Sequence, residues 1–237
     1  IYGGISKGIK SGGFNAPLAP PEDFATMPYA GESLIAYEAG FKLDRPNSRI
    51  NGSVFIYDYD DYQAMQFDAF VPLIFNAGAE MSGFELDIIS NPSDGVDLVL
   101  GVSYLDAEIT DLPVGTYPGG VSKSVVSPEL AVNAIARKSW LRKSGGILTA
   151  QVDMSYKGDQ VFNIVVSPLV EEGSHTVFNT RITYTEPNDK YEASFFVKNL
   201  TDTKYRRYAF DTSAYFGATE DVWGFPRWAG VNLLVRF

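Results

Sequence analysis

Cysteine is absent from this 237-residue chain, so no disulfide staples the fold and no thiolate is available as a nucleophile or zinc ligand. Histidine occurs once, at His175, which excludes a two-histidine metal site within the chain and obliges any Ser-His-Asp triad to use that one ring. Basic residues are scarce: 19 Lys and Arg stand against 29 Asp and Glu, a net charge of -10. A nucleic-acid partner needs clustered cations to neutralise phosphates, and no such cluster occurs. Long apolar runs are missing too. The longest are pieces such as Leu98 to Val102 and Phe195 to Val197, far below the roughly 18 residues of a membrane-spanning helix. The one remaining way to cross a bilayer is a closed β-barrel.

What is plentiful is β-forming material, 14 Tyr, 16 Phe and 22 Gly in a chain that is 45% hydrophobic. The last stretch, Pro226 to Phe237, sets the theme. Ala229, Val231, Leu233 and Val235 share one face, and Gly230, Asn232 and Arg236 the other, with Leu234 the exception. A strand that closes on a large aromatic makes sense if its apolar face meets lipid and the ring sits at the interface; a half-buried strand of a soluble sandwich has the same pattern.

Similar alternation recurs along the chain. Ile1 to Lys7 runs into Gly8, Gly12 and Gly13 and then a Pro-rich loop extending to about Glu32. Ile35 to Leu43 alternates, Asp44 to Ser48 turns, and Arg49 to Tyr62 is β-like with faces that the pattern does not assign. Phe67 to Leu73, with Pro72, reads as a medium loop. Ile74 to Ile89 is a strand, Asn91 to Gly95 a tight turn, Val96 to Tyr104 the cleanest strand of all, and Asp106 to Pro128 a long loop. Glu129 to Leu141 fits a helix face through Leu130, Ala134 and Leu141 or a strand through Leu130, Val132, Ala134, Ala136 and Trp140; its neighbours favour strand. Arg142 to Gly145 turns, and Leu148 to Tyr156 alternates. Lys157 to Ser174 is a long loop, Phe178 to Tyr184 and Tyr191 to Val197 flank a turn at Glu186 to Asp189, and Asp211 to Phe225 is the last long loop.

This makes about ten strands whose connections alternate long and short. Such parity is expected of an antiparallel transmembrane barrel with turns on one side of the bilayer and loops on the other, its polar residues facing a lumen. Because the last connection is long, the C-terminus is expected on the turn side. The chain opens at Ile1 without Met or a leader and apparently inside a strand, so it is expected to be a piece of a longer protein.

Few residues invite chemistry. Asp58, Asp60 and Asp61 could hold a hard cation but lack the Gly and Glu of an EF-hand loop, which favours a solvated strand end. The Gly8 to Gly13 cluster lacks the Lys-Ser/Thr ending of a phosphate loop. No catalytic residue, metal site or cofactor is expected. Tyr215, Phe216, Trp223, Phe225 and Trp228 gather around the last long loop, part of them as interfacial girdle and part as candidates to stack on a ligand.

Several segments together resemble the C-terminal barrel of TonB-dependent outer-membrane receptors. They are Tyr2 with Ser6-Lys7-Gly8-Ile9-Lys10-Ser11-Gly12-Gly13-Phe14-Asn15, Tyr37-Glu38-Ala39-Gly40-Phe41-Lys42, and Val54-Phe55-Ile56-Tyr57-Asp58-Tyr59 before Gln63. Asn76-Ala77-Gly78-Ala79 with Gly83-Phe84-Glu85 follows, then Val197-Lys198-Asn199-Leu200-Thr201-Asp202 with Tyr205, and Pro226-Arg227 ahead of Phe237. The resemblance implies an all-β, 22-stranded barrel in the bacterial outer membrane, of which residues 1–237 hold roughly the last ten strands, with short periplasmic turns and long extracellular loops. The plug and the box that contacts TonB would lie upstream. It implies TonB-energised uptake of a scarce nutrient, most often a ferric siderophore, with cobalamin or oligosaccharides as other cargo, and no chemistry on the ligand. Its partners would be outer-membrane lipid, TonB through the plug, and the barrel-assembly machinery through the terminal strand and Phe237. Asn199, Asp202 and Tyr205 match a motif read as structural, ordering the penultimate strand. Two other readings stay open: a complete ten-stranded outer-membrane barrel, such as a protease or adhesin, and a soluble β sugar-binding or glycosidase domain.

Overall fold

The computed structural model describes residues 1–16, 27–68, 71–112, 122–164 and 167–237, with the backbone alone at 67, 68, 214 and 215. Ten long strands dominate: β1 (Tyr2–Lys10), β2 (Glu32–Arg45), β3 (Ser48–Asp68), β4 (Val71–Ser93), β5 (Val96–Thr110), β6 (Leu130–Leu141), β7 (Ile147–Lys157), β8 (His175–Thr185), β9 (Tyr191–Lys198) and β10 (Trp228–Val235). Each pairs antiparallel with the strands before and after it in sequence, so the chain is one continuous meander. The ambiguous segment at 130–141 is a strand, paired on both sides. Among the described residues β1 and β10 stand at the two ends of the sheet and do not pair with one another.

Connections at one end of the sheet are tight: Pro46–Asn47, Asp94–Gly95, 142–146 and 186–190. Gly95 adopts φ +66° there, a left-handed conformation that costs glycine least. At the other end lie excursions over 11–31, 111–129, 158–174 and 199–227. The expected loop at Phe67 to Leu73 is instead strand: β3 and β4 stay paired to Asp68 and Val71, leaving only 69 and 70, which lie outside the described residues. Pro72 is accommodated opposite Phe67, near the hairpin end, where a missing N–H disturbs little of the ladder. Likewise β5 runs on to Thr110, past the expected loop start at Asp106, and Ser122–Lys123 adds a short strand beside its end. The last two excursions are not plain loops either. Gln160–Val161 pairs with Glu171–Glu172, and Arg206–Asp211 with Thr219–Trp223.

Register sorts the side chains into two faces. Leu100, Ala134, Met154 and Phe178 lie side by side on β5 to β8, and Trp140, Leu148, Tyr184, Ala193 and Leu233 form a parallel row nearer the turns. Asp97, Arg137, Gln151, Arg181 and Phe196 form a row on the opposite face. Lys138 breaks the apolar face but lies near the turn end, where its Nζ donates to the Asp94 carbonyl at 2.8 Å, a polar head drawn away from an apolar stem.

Among the described residues the apolar face has no second layer against it: Val231 and Leu233 are 72% and 71% exposed. The soluble reading required apolar faces packed together, and this sheet has one layer. A lipid-facing band needs about 10 residues of a tilted strand, so roughly half of the 21-residue β3 extends beyond it. Glycines on the sheet make room for neighbouring rings: a Cβ on Gly230 would lie 2.6 Å from the Phe196 ring. Trp228 is not girdle: it pairs with Lys198 and meets Phe196 edge-on at 5.0 Å, on the polar face.

Candidate functional site

Polar side chains on the inner face are cross-linked strand to strand. Arg137 on β6 lies 3.8 Å from the Asp97 carboxylate on β5, and its Nε donates to Gln151 Oε1 on β7 at 3.1 Å. Gln151 Nε2 donates to Asp153 Oδ1 at 3.3 Å, and Asn179 Nδ2 on β8 donates to Asp153 Oδ2 at 2.5 Å. Arg181 reaches Ser194 Oγ on β9 at 3.3 Å and lies 5.3 Å from the centre of the Phe196 ring. Asp97, Arg137, Gln151, Asp153, Arg181 and Phe196 line a shallow concave surface together with Thr183, Glu192 and Lys198. It offers both signs of charge and many hydroxyls, suited to polar contact with whatever occupies the concavity.

At the outer edge of this wall Asn179 Oδ1 accepts from the Asn199 backbone N–H at 2.9 Å. Asn199 is 3% exposed and holds φ +51°. Its Nδ2 donates to the carbonyls of Thr203 and Phe225 at 2.9 and 3.0 Å, and its Oδ1 accepts from the Thr203 N–H at 2.9 Å. Asp202 Oδ1 accepts from the Arg227 N–H at 2.7 Å. Tyr205 stacks on His175 with ring centres 4.6 Å apart, and its ring covers Gly224. Asn199, Asp202 and Tyr205 therefore join the end of β9, the start of β8 and the approach to β10. Phe237 is fully exposed beyond β10; its neighbour Arg236 bonds Asp189 Oδ1 at 2.5 Å in the β8–β9 turn.

Of the four aromatic residues expected near a ligand, Phe216 and Trp223 are held apart. Phe216 belongs to the short helix Ser213–Phe216 at the tip of the last excursion and is 65% exposed. Trp223 lies at the base of the paired segment, opposite Arg206, about 13 Å from the tip pair Asp211–Thr219 at strand rise. Phe225 is farther on, exposed at its ring and bonded through its carbonyl to Asn199. The Tyr215 side chain lies outside the described residues. Among the earlier candidates, Asp61 takes φ +55° in the bulge between Tyr59 and Tyr62, and its carbonyl accepts from Asn76 Nδ2 at 2.8 Å. Gly4-Ile5-Ser6-Lys7-Gly8 spells a nucleophile-elbow pattern but is the middle of β1, with Ser6 paired to Ala36, not a strand-to-helix turn.

Sequence reasoning missed the residue that organises the loop end. Arg206, 17% exposed at its side chain, donates to Glu172 Oε2 at 3.0 Å, Asp221 Oδ1 at 3.3 Å, the Leu169 carbonyl at 2.7 Å and the Glu171 carbonyl. Burial works against the Arg206 charge, but its bonds to Glu172 and Asp221 prevail and raise its pKa. Nearby, hydrogen bonds from the Ser213 side chain and backbone hold the Asp211 carboxyl below its ordinary value. In the sequence Arg206 is one of two adjacent arginines after Tyr205, and nothing local signals that its partners Leu169, Glu171 and Glu172 lie more than 30 residues upstream.

A family model described as "TonB dependent receptor-like, beta-barrel" matches residues 1–200. The ferric yersiniabactin uptake receptor FyuA from Yersinia pestis superposes on 98% of this chain with a TM-score of 0.79 at 18% identity, using 34% of its own length. BauA, the ferric preacinetobactin receptor of Acinetobacter baumannii, gives 0.68 over 97% of this chain and 32% of its own, at 19% identity. The copper transporter OprC gives 0.68 over 98% and 36%, at 14% identity. The chain thus spans about a third of the length of these structures, and at such identity they establish the fold alone. A single-layer antiparallel sheet, tight turns at one end, long excursions at the other and a family match over most of its length lead to one conclusion: this chain belongs to the TonB-dependent receptor family and forms part of its β-barrel.

Proposed function

We propose that residues 1–237 are the C-terminal wall of an outer-membrane receptor that takes up a scarce nutrient, a ferric siderophore above other cargo, with energy delivered by TonB to an upstream plug. The observation that carries this reading is the family match over residues 1–200, joined to an inner face lined with polar side chains and an outer face of exposed Val, Leu, Ile and Phe. The outer face is suited to lipid of the bacterial outer membrane, with turns in the periplasm and excursions outside the cell. The inner row from Asp97 to Arg181 suits a polar plug. Ligand contacts are assigned to the last excursion, to Phe216 at its tip and Trp223 at its base, with Tyr215 and Phe225 beside them. Asn199, Asp202 and Tyr205 keep a structural role, and the terminal strand with Phe237 is the segment offered to the barrel-assembly machinery.

The siderophore reading draws on the FyuA and BauA likenesses; the OprC likeness makes copper the second cargo to test. Acids outnumber bases between Asp106 and Pro128, between Lys157 and Ser174, and between Asp211 and Phe225, which argues against a highly anionic ligand held by an arginine cluster. Uptake of radiolabelled iron and copper by the host under limitation, with and without the gene and with and without TonB, tests both. TonB-dependent loss of iron uptake is the expected result. Loss of copper uptake alone would move the cargo, and a phenotype indifferent to TonB would overturn the energised-uptake proposal.

A further inference from the structure

The two limbs of the β7–β8 excursion, 159–164 and 167–174, contribute to two separate buried clusters at the loop end. One limb delivers Ile164, 2% exposed, into a buried cluster with Ala64 of β3, Ala77 and Ala79 of β4, and Ile109 of β5. The other delivers Val170, fully buried, against Phe162 of the first limb and Ala209 of the last excursion, where Arg206 bonds Glu172 and the carbonyls of Leu169 and Glu171. Phe162 N–H donates to the Val170 carbonyl at 2.8 Å, and Val161 pairs with Glu171, so the two limbs are directly joined. The excursion also holds its neighbour, since Val126 N–H donates to the Val161 carbonyl at 2.8 Å.

We propose that this excursion is a strap that couples the outer ends of β3–β5 to the last excursion, making the loop end one cooperative unit with Arg206 as its clasp. Separate loops would open independently, each with its own small free energy. A shared apolar plug at one end and a four-bond cation at the other mean that opening either end costs contacts at both. Coupling of this kind is reciprocal: if loosening Arg206 destabilises the seat of Ile164, loosening that seat destabilises the Arg206 end by the same factor. Nutrient binding at the β7–β8 or the last excursion would then be felt by the other and by the outer ends of β3–β5. The inference does not depend on which cargo is carried.

Hydrogen exchange on the full-length receptor in detergent micelles tests it, with no ligand needed. Arg206→Ala is expected to speed exchange about tenfold not only in 167–172 and 206–223 but also at Ala77, Ala79 and Ile109, which it does not touch. Ile164→Ala is expected to speed exchange reciprocally at Tyr208 and Ala209. Exchange in β7 around Gln151 serves as the fold control. Should Arg206→Ala disturb that control, Glu172→Gln, which removes one charged partner and leaves the carbonyl bonds, is expected to act in the same direction more weakly. An effect of either Arg206→Ala or Glu172→Gln confined to its own contacts, or an Ile164→Ala effect that stops short of Tyr208, overturns the strap. Iron or copper uptake assays score the transport proposal separately, so failure of one leaves the other standing.

Discussion

The sheet wall and the loop end of this chain are stabilised by opposite means. On the wall, large apolar side chains such as Val231, Phe195 and Ile182 are half or more exposed, and backbone ladders and polar cross-links on the inner face hold neighbouring strands. At the loop end, residues as apolar as Ile109, Ile164 and Val170 are essentially inaccessible. In lipid there is no gain from packing apolar faces together, so the wall carries its hydrophobic residues outward; in water the excursions can hold shape only by burying theirs. The same composition thus serves two solvents within one chain.

The largest expected effect is at the loop end. Ile109→Ala would leave a cavity among Ala64, Ala77, Ala79 and Ile164 and cost about 2–5 kcal/mol of local stability. Hydrogen exchange of β4 at Ala77 and Ala79 would report it, while the wall stays protected. Nearly as large is the effect of a charge on the lipid face. Val231→Arg should cost about 2–4 kcal/mol in urea unfolding from phospholipid vesicles, whereas Asn232→Arg, on the next residue and the opposite face, should cost far less. Equal costs would erase the distinction between the faces. Between wall and loop end stands Asn199. Asn199→Ala removes three side-chain bonds and leaves φ +51° to a residue that rarely adopts it, about 1–3 kcal/mol. Asn199→Gly relieves the backbone alone, so the gap between the two variants measures the strain and the remainder the bonds.

How much of this could be read in the sequence follows the same division. Where a strand has lipid on one side and a wet concavity on the other, alternation is clean, and Leu148 to Tyr156 or Ala229 to Val235 give both strand and face. Beyond the lipid band both faces meet protein or water, and the signal fades. Residues 67–68, 71–73 and 106–110 continue as strand without any membrane to enforce period 2. On β3, rings at Phe55, Tyr57 and Tyr59 share the inner face while Val54 and Ile56 take the outer, and the bulge at Asp60–Asp61 then resets the register, which is why no face could be assigned there. Trp228 stayed unassigned for a related reason: an aromatic at a strand end can belong to either face, and only pairing with Lys198 shows which. Phe216, Trp223 and Phe225 are close in sequence, but a paired segment and a helix hold Phe216 away from Trp223, a separation that no local pattern announces. Arg206 lay out of reach because its significance comes from Leu169, Glu171 and Glu172, brought alongside only by the meander.

The smallest effect, and the one that separates the two regions by pH, comes from Asp211. Its carboxyl is held below the ordinary value by hydrogen bonds from Ser213, including backbone N–H to Oδ1 at 2.9 Å. A depressed folded-state value means the folded form prefers the carboxylate. The stabilisation is therefore present above the unfolded-state pKa of about 3.9 and is lost as pH falls through the lower folded value. Protease cleavage within 206–223 of the full-length receptor, read by an acid-active protease between pH 5 and pH 2.5, should rise toward the acid end. Asp211→Asn should flatten that rise by removing the titrating group while keeping an acceptor for Ser213. The site is partly solvated, so the change is smaller than any of the three above. An acid-induced rise that persists unchanged in Asp211→Asn would overturn its assignment to Asp211.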